Sequence, residues 1–212
     1  RWQDATGLSR QGGAGPSDHK ALSVGEHTSM IPILNRASLD SPYLARPSAN
    51  GGEAEILRDG RVVGQVSIPG VPNFYALSTA DGTPYWKIAT LHSKDVLATT
   101  ILQHCIRMND AASACQFCAI NQSLKNDRTI ARKRPAQLAE VAKAAVELDG
   151  VKHMVMTTGT PQTSDRGAAI LCESAAAVTA AVDLPIQAQC EPPDDDRWFQ
   201  RLKDSGVVSL GM

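Results

Sequence analysis

The chain has 212 residues, of which 42% are hydrophobic and 20% are charged, a balance typical of a globular protein and not of a disordered one. Its 21 Lys and Arg residues nearly match its 22 Asp and Glu residues, and the net charge of −1 gives no overall attraction to nucleic acid or anionic membranes. No apolar run approaches the roughly 18 residues of a membrane-spanning helix, and residues 1–20 lack the apolar segment of a signal peptide. We therefore expect a cytoplasmic protein with one large domain or one domain and a small appendage.

The first part of the chain is predicted to be extended and irregular. Residues 1–30 mix Gly, Ser and charged side chains without a period, so we expect them to be poorly ordered. The prolines that follow suit an extended connector. Further on, apolar segments flank Asp59-Gly60 and Asp81-Gly82, which are strong hairpin turns. The sequence thus predicts a lead-in and connector over residues 1–52 and a small antiparallel β-hairpin unit over residues 53–92.

From about residue 95, strand-like segments alternate with amphipathic helical segments. The strands are predicted at Val96–His104, Val151–Thr157, Pro185–Cys190 and Val207–Leu210, and the helices at Pro135–Leu148, Gly167–Val182 and Asp194–Lys203. Such alternation indicates a parallel sheet with right-handed crossovers, and these sheets bind ligands at the carboxyl ends of their strands. Residues 93–212 are therefore predicted to form an α/β core in which the loops after the first three strands converge.

Three of the five cysteines lie in the loop after the first of these strands. Cys105, Cys115 and Cys118 follow the spacing Cys-x9-Cys-x2-Cys, and three thiols on one loop of mostly small residues are well placed to converge on a metal. An odd number of cysteines without a secretion signal argues against a disulfide framework. Cys172 lies within a predicted helix and Cys190 ends a predicted strand, so we expect both to be core residues.

Residues Cys105 and Cys115-Gln116-Phe117-Cys118 resemble the cluster-binding motif of the radical S-adenosylmethionine (radical SAM) superfamily. That motif is commonly Cys-x3-Cys-x2-Cys with an aromatic residue before the last cysteine, so Phe117 matches and the longer first gap departs from it. Residues 157–161 are similar to the superfamily's Gly-Gly-Glu-Pro-like segment, which binds the amino group of SAM, with Thr160 in place of the acidic residue. Within the superfamily, the chain looks closest to an uncharacterised bacterial branch associated with nitrilase-type gene clusters.

The resemblance implies a fold and a set of cofactors. The implied fold is a partial (β/α) barrel of the radical SAM type, truncated after about four strands and preceded by the small antiparallel β unit, so that the chain is a fragment with the first half of the core. The implied metal ligands are Cys105, Cys115 and Cys118, which would hold a [4Fe–4S] cluster with one open iron. The residues implied to bind S-adenosylmethionine are Phe117, Gly159, Thr160 and Pro161.

The resemblance also implies an activity. The cluster and SAM would generate a 5′-deoxyadenosyl radical that abstracts hydrogen from a small-molecule substrate whose identity the sequence leaves open. The implied partner is an electron donor such as ferredoxin or flavodoxin, and neither a membrane nor nucleic acid is expected as a partner. No catalytic side chain is identified, because the substrate-specific residues are expected on later strands.

The same cysteines support a second hypothesis, a non-catalytic zinc-binding interaction module. A structural zinc site would use the three thiols with His104 or His92 as the fourth ligand. Residues 159–161 would then be an ordinary βα turn. Anaerobic loading with iron and sulfide distinguishes the two hypotheses, because only the first predicts a coloured cluster.

Other polar residues near the predicted site have simpler interpretations. Asp165-Arg166 is interpreted as the start of a helix, and Glu191 is left either as a contact to SAM or substrate or as a surface residue. A basic segment before the first long helix is interpreted as a solvated loop, because it has no interleaved aromatic residues. Its basic residues are Lys125, Arg128, Arg132, Lys133 and Arg134.

Overall fold

The computed structural model describes residues 1–3, 19–34, 36–49, 51–116, 118 and 120–212. Within these residues the strands form two five-stranded sheets. The strands of the first sheet are β1 (His19–Val24), β2 (His27–Pro32), β3 (Tyr43–Pro47), β4 (Glu53–Arg58) and β5 (Arg61–Ser67). They are antiparallel throughout and lie in the order β2-β1-β5-β4-β3.

The second sheet is mainly parallel, which confirms the predicted α/β class. Its strands are β6 (Thr90–His92), β7 (Val96–Thr100), β8 (His153–Thr157), β9 (Ile186–Gln189) and β10 (Val207–Gly211). Strands β7 to β10 are parallel neighbours in chain order, and β6 is added antiparallel to β7 at the edge. Within the described residues this sheet is open and does not close into a barrel.

Among the described residues, three longer helices connect the parallel strands, and three short helices lie elsewhere. The helices are α1 (Arg36–Leu39), α2 (Tyr85–Ile88), α3 (Ile120–Lys125), α4 (Pro135–Asp149), α5 (Ala168–Ala181) and α6 (Arg197–Asp204). Two further turns, Asn73–Ala76 and Ile106–Asn109, are 3₁₀-helical. Over the part of the chain that the structure describes, no helix has both the length and the apolar character needed to cross a membrane.

Helix α4 shows why the predicted βα pattern is confirmed. It begins at Pro135, whose missing N–H has no helical partner in the first turn, and it ends at Gly150, whose φ of 65° closes the helix. Its apolar side chains recur every three or four residues and are buried on one side. These residues are Leu138, Val141, Ala142 and Ala145.

The helices that follow β7, β8 and β9 lie on one face of the second sheet. Strands that follow one another in chain order through right-handed crossovers place every connecting helix on the same face. Consistent with this, α4 packs against α5 and α5 packs against α6. The strand residues packed with these helices alternate along each strand, as a pleated sheet requires. They include Leu97, Met154, Met156, Ile186 and Ala188.

Two expectations for the first half of the chain are wrong. Residues 19–30, predicted to be poorly ordered, belong to the β1–β2 hairpin, where Gly25 at φ 57° supplies the positive φ of a two-residue turn. The predicted lead-in over residues 4–18 lies outside the described residues. The second predicted hairpin, around Asp81-Gly82, is instead a 3₁₀ turn followed by α2.

Packing against α4 explains the second of these errors. The Asp149 carboxylate at the end of α4 accepts the backbone N–H groups of Asn73 and Phe74 at 2.8 and 3.0 Å, which holds the 3₁₀ turn in place. The side chains of Phe74 and Ile88 are completely buried in the core of the second sheet. The unit predicted for residues 53–92 is therefore divided between the two sheets.

Candidate functional site

The loops after β7 and β8 are joined by backbone hydrogen bonds, as the parallel sheet predicts. The N–H of Ile106 donates to the carbonyl oxygen of Thr160 at 2.9 Å, and the N–H of Gly159 donates to the carbonyl oxygen of Leu102 at the same distance. The first of these bonds lies directly after Cys105. The cysteine loop therefore begins against the segment that the resemblance assigns to SAM.

The loop after β9 is joined to the same place by a two-point ion pair. Arg107 Nε lies 2.8 Å from Glu191 Oε1, and its Nη2 lies 3.1 Å from Oε2. The Thr160 side chain also acts to lower the pKa of Glu191, after the larger effect of Arg107. The hydrogen bonds from Arg107 hold the pKa of Glu191 below its usual value, although partial burial acts in the opposite direction. Arg107, Thr160 and Glu191 thus connect the three strand-end loops.

The pairing of Glu191 answers one part of the choice that the sequence left open. Glu191 is not a plain surface residue, because each of its carboxylate oxygens accepts a hydrogen bond from Arg107. A contact between Glu191 and SAM or substrate stays a prediction. Sequence analysis did not identify Arg107, which is 84 positions from Glu191. The only sequence feature that could have indicated Arg107 is its position in the cysteine loop, two residues after Cys105.

Gly159 is required by the close approach of two backbones. A Cβ atom added to Gly159 would lie 2.2 Å from the carbonyl oxygen of His104 and 2.9 Å from that of Leu102. Both oxygens belong to the backbone and cannot move aside as a flexible side chain could. Position 159 therefore has no room for a side chain. This contact is a structural reason for glycine here, and the role of residues 159–161 in binding SAM stays a prediction.

The three predicted metal ligands are at the same end of the sheet and are accessible. Cys105 is half-buried, while Cys115 and Cys118 are exposed, and all three are free thiols. The Cys118 N–H donates to the carbonyl oxygen of Cys115 at 3.1 Å. The hydrogen bonds and the charge of Glu191 raise the pKa of Arg107, and the charges of Cys105 and Cys115 as thiolates add a smaller effect. Arg107 therefore lies within electrostatic range of these two cysteines.

The cysteine loop fits an iron–sulfur cluster in donor chemistry and in position. Three free thiols on one loop are the donors that such clusters use, and the carboxyl end of a parallel sheet is where ligands bind. Within the described ranges, no group of three or more His, Cys, Asp or Glu side chains is assembled closely enough to hold a metal ion. Phe117, which lies between the last two thiols, is outside the described residues.

The histidines proposed for the zinc alternative are at two different places. His104 is exposed and directly precedes Cys105. His92 pairs with Val96, the first residue of β7, so it lies at the opposite end of the strand from the cysteine loop. His92 is therefore separated from the three thiols. Of the two histidines, only His104 lies beside the cysteine loop.

The prediction that Cys172 and Cys190 are core residues is confirmed. Cys190 is buried, and burial raises the pKa of its thiol to about 11. Cys172 packs against the same core, and burial raises the pKa of its thiol as well. Both remain protonated at neutral pH, and a protonated thiol is a poor metal ligand.

Asp165 lies just before α5 and binds the backbone at its start, consistent with the predicted helix start. Its Oδ2 accepts the backbone N–H groups of Gly167 and Ala169 at 3.1 and 3.0 Å. Burial acts to raise the pKa of Asp165, but hydrogen bonds from Thr163 and from these two N–H groups outweigh it, so the pKa lies below its usual value. Arg166 pairs with Asp194 at 3.1 Å and is likewise structural.

The prediction that the basic segment is solvated is wrong for Lys133. Its side chain is buried, with Nζ 2.8 Å from the carbonyl oxygen of Thr100 and 3.1 Å from Thr99 Oγ1. Burial lowers the pKa of Lys133 to about 7. The cause is the pairing of residues 131–133 alongside residues 101–103, which turns Arg132 outward and Lys133 inward. No local pattern distinguishes these two basic residues.

The structure thus combines a parallel α/β sheet with a cysteine-rich loop at its carboxyl end, where proteins of this class bind their ligands. A family model described as the radical SAM superfamily matches residues 106–212. The match covers just over half of the chain and includes Cys115, Cys118 and residues 159–161, and the chain belongs to this superfamily. Comparisons with curated proteins and with solved structures give no match.

The Arg107–Glu191 pair makes a pH-dependent contribution to stability. Because the pKa of Glu191 is lowered from 4.5 on folding, its contribution is present above that value and is lost as the pH falls through the folded pKa. We expect Glu191→Gln to lower the free energy of unfolding by about 1 kcal/mol at neutral pH, a modest effect because both side chains are partly exposed. Urea denaturation of the unmutated chain and of Glu191→Gln, at about pH 7 and about pH 3, measures this loss of stability at each pH.

Glu147→Gln is the matched control for this prediction. Glu147 is exposed on α4 and lies 4.0 Å from Lys143, so its loss is expected to change stability little. Equal effects of the two substitutions at neutral pH, or a Glu191→Gln effect that persists in acid, would contradict the assigned role of the pair.

Proposed function

We propose that this chain holds a [4Fe–4S] cluster through Cys105, Cys115 and Cys118 and binds S-adenosylmethionine beside it. The observation that carries the proposal is the place of the cysteine loop. In a chain of the radical SAM superfamily, it lies at the carboxyl end of the parallel sheet and is hydrogen-bonded to the loop after β8. When bound, the cluster and SAM would supply the one-electron chemistry that produces a hydrogen-abstracting radical.

The chain's own residues would position the cysteine loop. Arg107 places a positive charge beside two sulfurs that carry negative charge as ligands, and Glu191 holds that guanidinium in position. The bond from Ile106 to Thr160 links the start of the loop to the proposed SAM-binding segment. These contacts leave Cys115 and Cys118 exposed and able to move toward Cys105 when the cluster assembles.

Glu191 has a further proposed role near SAM. In the superfamily's segment an acidic residue stands where this chain has Thr160. Here Thr160 lies close enough to Glu191 to lower its pKa, so the loop after β9 brings a carboxylate near the same place. A carboxylate is the group that an ammonium prefers, so Glu191 would attract the SAM amino group from outside the segment. Gly159, Thr160 and Pro161 would form the backbone of that subsite, and Phe117 would pack near the adenine.

The remaining parts of the proposal concern the fold, the electron donor and the location. Consecutive parallel strands with their helices on one face are the arrangement from which a (β/α) barrel is built, so we infer that β7 to β10 form part of one. A low-potential protein such as ferredoxin or flavodoxin would donate the electron. The cytoplasm is the proposed compartment, since its reducing conditions keep thiols available to iron.

Anaerobic reconstitution of the full chain with iron and sulfide tests the proposed function. We expect a brown protein with an absorbance band near about 400 nm and about four irons per chain. A colourless protein with one tightly held zinc would overturn the proposal in favour of a zinc-binding module. A protein that binds neither metal would overturn both hypotheses.

A further inference from the structure

A large cavity lies on the face of the second sheet that the long helices leave open. It has a volume of about 1110 Å³, enough for a small organic ligand. On β7 and β8 it is lined by residues that alternate with the helix-facing ones, among them Thr100 and Thr157, and also by the buried Thr99. The β1–β2 hairpin and the segment after β5 contribute the opposite side. The cavity therefore lies between the two sheets and reaches the carboxyl end of β7.

The side chains around this cavity are cationic. Within the described part of the chain, no Asp or Glu lines it, whereas four Lys or Arg side chains do. They are Lys20, Lys87, Arg128 and Lys133. Lys87 is paired with Asp127 at 2.7 Å, and Asp127 is not part of the lining. Lys133, in contrast, has no carboxylate partner among the described residues, and a buried positive charge beside a partly enclosed space favours an anionic ligand.

Lys133 is the buried member of this set. Its two hydrogen-bond acceptors, Thr99 Oγ1 and the Thr100 carbonyl oxygen, are neutral, so they satisfy donors without balancing the charge. In the described residues no carboxylate lies close enough to act on Lys133, and burial alone lowers its pKa to about 7. A buried ammonium without a counter-ion is costly. An anion bound in the cavity would remove that cost.

The rest of the lining suits the organic part of a ligand. The Trp86 ring lines the cavity, with Lys87 Nζ and the Arg128 guanidinium 5.3 and 5.7 Å from its centroid. The hydroxyls of Thr100 and Thr157 are hydrogen-bonded to each other at 2.8 Å and give a polar point on the sheet. A ligand with an apolar or ring-bearing body and one anionic end matches this distribution.

We propose that the cavity binds a small organic carboxylate, with its anionic end at Lys133 and its apolar part against Trp86. A carboxylate carries one negative charge and balances one ammonium. A phosphate, in contrast, is usually held by several guanidinium or backbone N–H groups. Among the described residues that line the cavity, Lys133 is the only fully buried cation. That this carboxylate is the substrate of the radical chemistry rests on the proposed function, whereas the binding itself does not.

Calorimetric titration of the metal-free full chain with 4-phenylbutyrate and 4-phenylbutyramide tests this inference. The two probes have nearly the same shape and differ in charge. We expect the acid to bind with a Kd of about 1 mM and the amide at least about tenfold more weakly. Equal affinities, or no binding of the acid, would overturn the proposal. Tighter binding of phenyl phosphate than of 4-phenylbutyrate would overturn the choice of carboxylate.

Two further measurements assign the preference to Lys133. Lys133→Met is expected to remove the preference for the acid, while Lys143→Met, at an exposed position on α4, retains it. In the unmutated chain, 4-phenylbutyrate is expected to protect Lys133 from acetic anhydride and the amide is not, which tests the site even if Lys133→Met fails to fold. A preference that survives in folded Lys133→Met, or equal protection by both probes, would overturn the assignment.

The use of metal-free protein separates this inference from the proposed function. A chain that assembles the cluster but does not prefer the acid would overturn the carboxylate site alone. A chain that prefers the acid but assembles no cluster would overturn the proposed function and leave an anion-binding cavity.

Discussion

Cys115→Ala and Cys118→Ala are each expected to abolish assembly of the iron–sulfur cluster. Both thiols are exposed at the carboxyl end of the parallel sheet, inside the segment matched by the superfamily model, and a cluster held by two thiols is poorly retained. Iron content and absorbance near about 400 nm after anaerobic reconstitution measure the loss. Cys105→Ala is expected to have the same effect, because Cys105 is the proposed third ligand.

Cys172→Ala and Cys190→Ala are the matched controls for the cluster prediction. Both remove a thiol that packs in the core and remains protonated, so both are expected to assemble the cluster with unchanged iron content. Cys190→Ala leaves a small cavity and is expected to cost about 1 kcal/mol of stability. Loss of iron from Cys172→Ala comparable to that from Cys115→Ala would show that the proposed ligand set is wrong.

Gly159→Ala is expected to destabilise the fold more than any other single methyl addition discussed here. The new Cβ would lie 2.2 Å from the backbone oxygen of His104, so the loop after β8 and the start of the cysteine loop would have to separate. We expect the free energy of unfolding to fall by about 3 kcal/mol, at the upper end for an overpacked site. Urea denaturation measures it.

Gly64→Ala is the control for this prediction. Gly64 lies in β5, no atom lies within 4 Å of the position that its Cβ would occupy, and its φ is not positive. Alanine there is expected to be neutral or slightly stabilising, because it restricts the unfolded chain. A Gly159→Ala protein as stable as Gly64→Ala would contradict the close backbone approach between the first two strand-end loops.

Much of the α/β core could be predicted because its signals are local. The apolar period of α4, its opening Pro135 and its closing Gly150 are all readable within one segment of the chain. The same holds for the order of strands and helices from β7 to β10, which gives the parallel sheet by general rules of connection. The ends of the strands were predicted less accurately. Strand β7 ends at Thr100 and not at the predicted His104, because residues 101–103 turn to pair with residues 131–133.

The errors in the first half have the opposite origin. Apolar residues that also suit strands occur in the segment Asn73–Ala76 and in helix α2. These segments form helical turns because that conformation buries their apolar side chains against α4. The β1–β2 hairpin has weak strand signals, since half of its strand residues are polar and four of the six residues of its second strand are exposed. In both cases tertiary contacts outweigh the local preference.

The sequence by itself determined the α/β class of residues 93–212, the cysteine loop at a strand end and the superfamily, because periodicity and cysteine spacing are properties of neighbouring residues. Only the tertiary structure decided that Arg107 pairs with Glu191, that Gly159 has no room for a side chain and that Lys133 points inward. Each of these depends on two segments brought together from distant parts of the chain. Contacts of this kind leave no periodic pattern in either segment, so they can be identified only from the folded structure.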